Sequence, residues 1–196
     1  MKKLIKRNMD RESAERERLY ECLHEAGHVI AARAYGFRVA WVSIDQNFIS
    51  AQGANKRGAL EIFGPMSMAL CVHLINPILA RRKMDGPDDE RLVRGYCIQV
   101  LAGPVAEGHY NPDFDRAVAA VDLQQVTHVC ERIFGERSER RAFRQRVGKE
   151  ATAFVEAHKG VIFHFAVALY NRETILEVDI DQAIATARAQ ALLGAV

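Results

Sequence analysis

Paired cysteines, one-sided charge and long apolar runs are all missing from this 196-residue chain. Its four cysteines (Cys22, Cys71, Cys97 and Cys130) lie far apart and form no C-x-x-C pair. That argues against a disulfide scaffold or a cysteine-rich zinc ribbon, and it predicts reduced thiols in a cytoplasmic protein. Lys plus Arg number 27 against 25 Asp plus Glu, a net charge of +2, too even to imply a nucleic-acid or anionic-membrane partner. The longest mostly apolar stretch, residues 66–80, contains His73, Asn76 and Pro77. It falls short of the roughly 20 apolar residues of a membrane span, so no transmembrane segment is expected. The basic start of the chain lacks the apolar core of a signal peptide.

The apolar fraction of 49% is that of a globular protein, and a chain of this length buries a sizeable core unaided. The pattern predicts a mainly α protein with a small β-sheet, class α+β. Residues 1–18 are polar and of mixed charge, a frayed extension before the domain at 19–196. Residues 13–35 are periodic as a helix, with Gly36 as its C-cap. Residues 38–45 are β-branched and aromatic and predict a strand; residues 47–57 predict a loop, and residues 59–63 a second strand. Residues 66–83 predict a helix interrupted near Pro77. The run Asp85-Gly-Pro-Asp-Asp divides a lobe at 19–84 from a helical lobe at 85–196. In the second lobe, helices are expected at 88–108 with a kink at Gly103-Pro104, at 115–134, and at 139–171 with a break near Gly160. A last helix, capped by Asp179 and Gln182, should run to about 193.

The chemistry is concentrated in His24-Glu25-Ala26-Gly27-His28, an H-E-x-x-H. On a helix, positions i and i+4 stand one above the other, so two imidazoles can hold one Zn²⁺. Glu25 points about 100° away from His24, where it can reach a water as general base. With 7 His and 15 Glu in the chain, chance produces such a match in roughly one sequence in fifty. Gly27 lies inside this helix at a cost of about 1 kcal/mol against alanine, which predicts close approach of another backbone or a substrate.

A zinc hydrolase needs a third protein ligand and one open position. Asp122 is the leading candidate. Val118, Val126, Val129, Cys130 and Ile133 share its helical stripe, and no basic residue stands three or four positions away. A carboxylate in an apolar stripe needs a metal or a partner from elsewhere, such as a downstream arginine. Glu107 is the rival: it could ligate the metal or orient a ligand histidine from behind. His73, His109, His128, His158 and His164 fit no ligand spacing.

The segment Leu23-His24-Glu25-Ala26-Gly27-His28-Val29 resembles the active-site helix of the FtsH family of ATP-dependent zinc proteases. Leu101-Ala-Gly-Pro-Val-Ala-Glu107 is similar to that family's Gly-Gly-Arg-x-Ala-Glu segment, with Pro104 in place of the arginine. Val121-Asp122-Leu-Gln-Gln-Val126 is similar to its Asn-Asp-Leu-Gln motif, and residues 176–182 to its closing segment. The order is the family's. The resemblance implies His24, His28 and Asp122 as ligands of one Zn²⁺ per chain and Glu25 as catalytic base. It also implies a zincin-like active-site helix followed by a C-terminal helical bundle, with strand 38–45 beside the cleft, able to pair with an extended substrate. The family's membrane segment and AAA ATPase module have no counterpart here, and no G-x-x-x-x-G-K-[ST] occurs.

The function expected is therefore a zinc-dependent endopeptidase acting on flexible or unfolded polypeptides. It would have no ATPase of its own, and a separate AAA-type ATPase could deliver its substrates. Two alternatives stay open: a regulatory protease that cuts a single partner such as a repressor, and a non-catalytic zinc-binding adaptor. The basic stretch from Arg132 to Lys149 is interleaved with Glu131, Glu136, Glu139 and Glu150 and reads as a solvated helix face.

Overall fold

The computed structural model describes residues 2–53, 68–72, 75–115, 117 and 119–194. Among them the chain is mainly helical with a small antiparallel sheet. The order is α1 (Lys2–Ala34), β1 (Arg38–Ser43), α2 (Gln46–Gly53), β2 (Met68–Val72), α3 (Asn76–Arg81) and α4 (Pro87–Tyr110). Then come α5 (Ala120–Ile133), α6 (Arg137–Arg172), β3 (Thr174–Leu176) and α7 (Glu177–Leu193).

α1 begins well before residue 13, so the expected polar extension is its first turns. It ends where Gly36 takes a φ of +79°, a conformation glycine adopts without strain. β1 forms as expected and is the middle of three strands in the order β2-β1-β3, antiparallel to both. Its pairing with β2 shifts at Ala40, between Val39 and Trp41. β2 pairs along β1 from Arg38 to Ser43, whereas β3 pairs only with Trp41, Val42 and Ser43.

Several expected elements change. Residues 46–53 are helical, not loop: Asp45 Oδ1 accepts the amide of Asn47 at 2.9 Å, and Ile49 is buried. Phe48 meets Trp41 edge to face, which ties the helix to β1. The expected helix at 66–83 divides into β2 and α3, with Pro77 in the first turn of α3, where its missing N–H costs nothing. The expected strand at 59–63 lies outside the described residues, as do Val118 and His73.

α5 starts at residue 120, not 115. Asp115 Oδ1 accepts the amide of Ala117 at 2.9 Å and holds that segment as a turn. α6 is unbroken through Gly160, which lets α7 come close: a Cβ there would lie 3.1 Å from Ala191 Cβ. α7 starts at Glu177, so Asp179 lies inside its first turn and is not its cap. α4 continues through Gly103 and Pro104 to Tyr110.

One core cluster joins α1, β1, α4, α6, β3 and α7 around Leu23, Val29, Val42, Ile162, Phe165 and Ile180, so it draws on both sides of residue 85. A second, around Val93, Ile98, Val129 and Val147, packs α3, α4, α5 and α6. α6 is long and apolar enough to cross a membrane by length and composition. Here Ile162, Phe165, Ala166 and Leu169 of that helix are buried in the first cluster.

Candidate metal centre

The site is built where α1 lies against α4 and where the first turn of α5 reaches both. Close packing of α1 on α4 depends on two glycines. A Cβ on Gly27 would lie 2.4 Å from the carbonyl oxygen of Ala102 and 2.9 Å from Ala106 Cβ. A Cβ on Gly103 would lie 2.4 Å from both Cε1 and Nε2 of His28. The expected close approach at Gly27 is thus to a backbone. The small residues Ala102, Gly103 and Ala106 form the bed on which the H-E-x-x-H turn rests.

That bed also orients the imidazoles. His28 Nδ1 lies 2.9 Å from the carbonyl oxygen of Gln99. A carbonyl only accepts, so Nδ1 carries a proton and Nε2 is the nitrogen left to face the site. His24 Nδ1 lies 3.0 Å from Glu107 Oε2 and has the same arrangement. The two rings stand nearly perpendicular, with centroids 4.7 Å apart. Both Nε2 atoms face Asp122: that of His24 is 3.2 Å from Oδ2, and that of His28 is 3.8 Å from Oδ1. Asp122 sits in the first turn of α5, where the helix dipole favours a carboxylate.

The donor atoms of His24, His28 and Asp122 all lie within 4.8 Å of one another. Two ligands at the usual 2.0–2.1 Å from a tetrahedral zinc are about 3.3–3.4 Å apart; the two His–Asp122 separations are 3.2 and 3.8 Å. Two imidazoles and one carboxylate, each imidazole backed by an acceptor on its far nitrogen, are a donor set that could hold a metal ion. The missing Cβ of Gly103 is what leaves room for the His28 ring at this position.

The electrostatics follow from burial and proximity. Burial alone would lower the pKa of His24, but its hydrogen bonds to Asp122 and Glu107 outweigh that and push it up to about 10. Burial would raise Asp122, yet the hydrogen bond from His24 and the charges of both histidines leave it below the usual carboxylate range. Glu21 lies one turn before Glu25 and is pushed up, first by burial and then by the charges of Glu25 and Glu107. Burial pushes the Cys22 thiol up to about 12 and Cys130 to about 11, which makes both poor nucleophiles.

Glu25 is buried on the same turn as the two histidines, and Glu107 is buried behind His24, against its Nδ1 and not itself one of the three donor residues. His109 and His158 lie elsewhere, against Glu156 and the Phe154 carbonyl. Sequence reasoning missed Gln99, whose contribution is a backbone carbonyl that no side-chain pattern marks. It also missed the contact of Gly103 with His28. The legible signal there was a glycine inside an otherwise helical run, which was read only as a kink.

In comparisons with known proteins, the chain matches no family model and no curated protein.

Proposed function

We propose that the chain is a zinc-dependent endopeptidase similar to the peptidase domain of the FtsH family. His24, His28 and Asp122 would hold one zinc ion, and Glu25 would act as the base. The observation that carries this reading is the convergence of the two His Nε2 atoms on Asp122, each imidazole backed on its other nitrogen. A bound zinc would supply a Lewis acid that polarises a peptide carbonyl and lowers the pKa of water to about 7.

The chain's own groups do the rest. Glu25 takes a proton from the attacking water and delivers it to the leaving amine, a role open to a carboxylate one position from His24. Glu107 accepts from His24 Nδ1, and the Gln99 carbonyl accepts from His28 Nδ1, so neither ring can turn away. The exposed side chains of Val121 and Leu123 flank Asp122 and offer apolar contact to a peptide beside the reacting bond. Substrates would be flexible or unfolded polypeptides, including ones delivered by a separate AAA-type ATPase.

The test is cleavage of unfolded casein by the zinc-loaded protein and by Glu25→Gln. The expected result is cleavage by the parent and a loss of about 100-fold or more in the variant, with metal content unchanged. Zinc binding without cleavage of casein or of a peptide library would instead favour a partner-dependent or highly specific protease, or a non-catalytic zinc module.

A further inference from the structure

Many arginines in the described residues bind carboxylates of their own chain: Arg33 with Asp181, Arg38 with Glu177, Arg94 with Glu150 and Arg146 with Glu90. Another group does not. Arg137, Arg140 and Arg144 line a cleft of about 180 Å³ between α5 and the first turns of α6, together with Thr127, Cys130 and Glu131. None of the three makes an ion pair with a described residue. Arg140 donates through one terminal nitrogen to the Gly135 carbonyl at 3.1 Å. Its Nε is buried and has no hydrogen-bond partner among the described residues. Arg144 reaches only the Thr127 hydroxyl, at 3.5 Å.

This arrangement is unfavourable for the chain alone. Like charges three and four positions apart on one helix repel each other. Cations in the first turns also face the positive end of the helix dipole. The capping box formed by Glu136 and Glu139 occupies amides at this end of α6, so the guanidinium groups are the donors left for a ligand. Glu131 sets one negative charge against three positive ones at the cleft.

We propose that the α5–α6 cleft binds a phosphoryl group, as free phosphate or as the head of a phosphomonoester, through Arg137, Arg140 and Arg144. Guanidinium groups match the oxygens of a phosphate in charge and in fork geometry. The volume lies below the roughly 300–1,000 Å³ of pockets that enclose a drug-sized ligand, so it suits a head group with the remainder in solvent. A long polyanion is disfavoured by Glu131 in the cleft and by Glu136 and Glu139 at the start of α6. This site is separate from the metal centre and does not depend on the protease reading.

The test is calorimetric titration of the full chain with inorganic phosphate, AMP, adenosine and a short oligonucleotide. The expected result is saturable, salt-sensitive binding of phosphate or AMP at millimolar concentration or below, and none of adenosine. Equal affinity for phosphate and AMP would identify the free anion as sufficient; tighter binding of AMP would identify a phosphomonoester. Arg140→Ala and Arg144→Ala should each weaken binding about tenfold or more, with the helical circular dichroism retained. Arg141→Ala, on the same helix but outside the cleft lining, should change it less than about twofold. The proposal is overturned if neither phosphate nor AMP binds saturably, if Arg141→Ala matches the cleft variants, or if only an oligonucleotide binds.

Discussion

Gly103→Ala would separate the geometry of the metal centre from the stability of the fold. The added Cβ would stand 2.4 Å from Nε2 and Cε1 of His28, whereas ordinary carbon contacts begin at about 3.5 Å. The ring would have to move by about 1 Å, against a hydrogen bond of 2.9 Å from Nδ1 to the Gln99 carbonyl. Two opposing terms act on the fold. Alanine gains about 1 kcal/mol of helix propensity, and overpacking costs about 1–3 kcal/mol. The net loss is between zero and about 2 kcal/mol, or at most roughly 8 °C in Tm for a chain of this size. Zinc affinity has no such compensation. Ligand distances tolerate only about 0.2 Å, and displacing an oriented ligand costs about 10–100-fold in affinity. Thermal melts in chelator, beside zinc titration against a chromophoric competitor, would measure both. Zinc affinity within about twofold of the parent would refute the assignment of His28 Nε2 as a ligand atom.

Three further outcomes follow from the same packing. Glu107→Ala removes the acceptor for His24 Nδ1 and should weaken zinc by about 10–100-fold in the same competition assay. Gly27→Ala drives a Cβ against a backbone carbonyl that has no rotamer to yield; urea unfolding should show a loss of about 3 kcal/mol or more. In chelator, His24, raised from 6.5 to about 10, stabilises the fold fully below about pH 6.5, and this contribution fades as pH rises towards 10. Asp122, depressed below 3.8, contributes above that value and loses its contribution as pH falls further. Melts against pH should therefore lose this contribution on both sides of that interval. Because His24 must be neutral to bind metal, zinc uptake near pH 7 should release about one proton, read from calorimetry in buffers of different ionisation enthalpy.

The local pattern around residue 24 was legible because helix geometry fixes how positions i and i+4 relate. Asp122 was legible as a carboxylate among apolar positions, although α5 starts five residues later than its periodicity implied. The misread elements share a cause. Gly160 and Gly103 carry low helix propensity, yet both lie where another group needs the space of a Cβ, and tertiary packing overrides propensity there. Residues 46–53 read as loop from composition, while Asp45 capping and the Phe48–Trp41 contact make them helical. The Gln99 carbonyl could not be read at all, since every residue offers one. The arginines of α6 read as a solvated face because periodicity does not tell which carboxylates come near them in space.

The most direct test of the central claim is the zinc content of protein purified without chelator, measured beside Asp122→Ala. One zinc per chain is expected in the parent and its loss in the variant, with the helical circular dichroism retained. A parent without zinc, or a variant that holds zinc as well as the parent does, would contradict it.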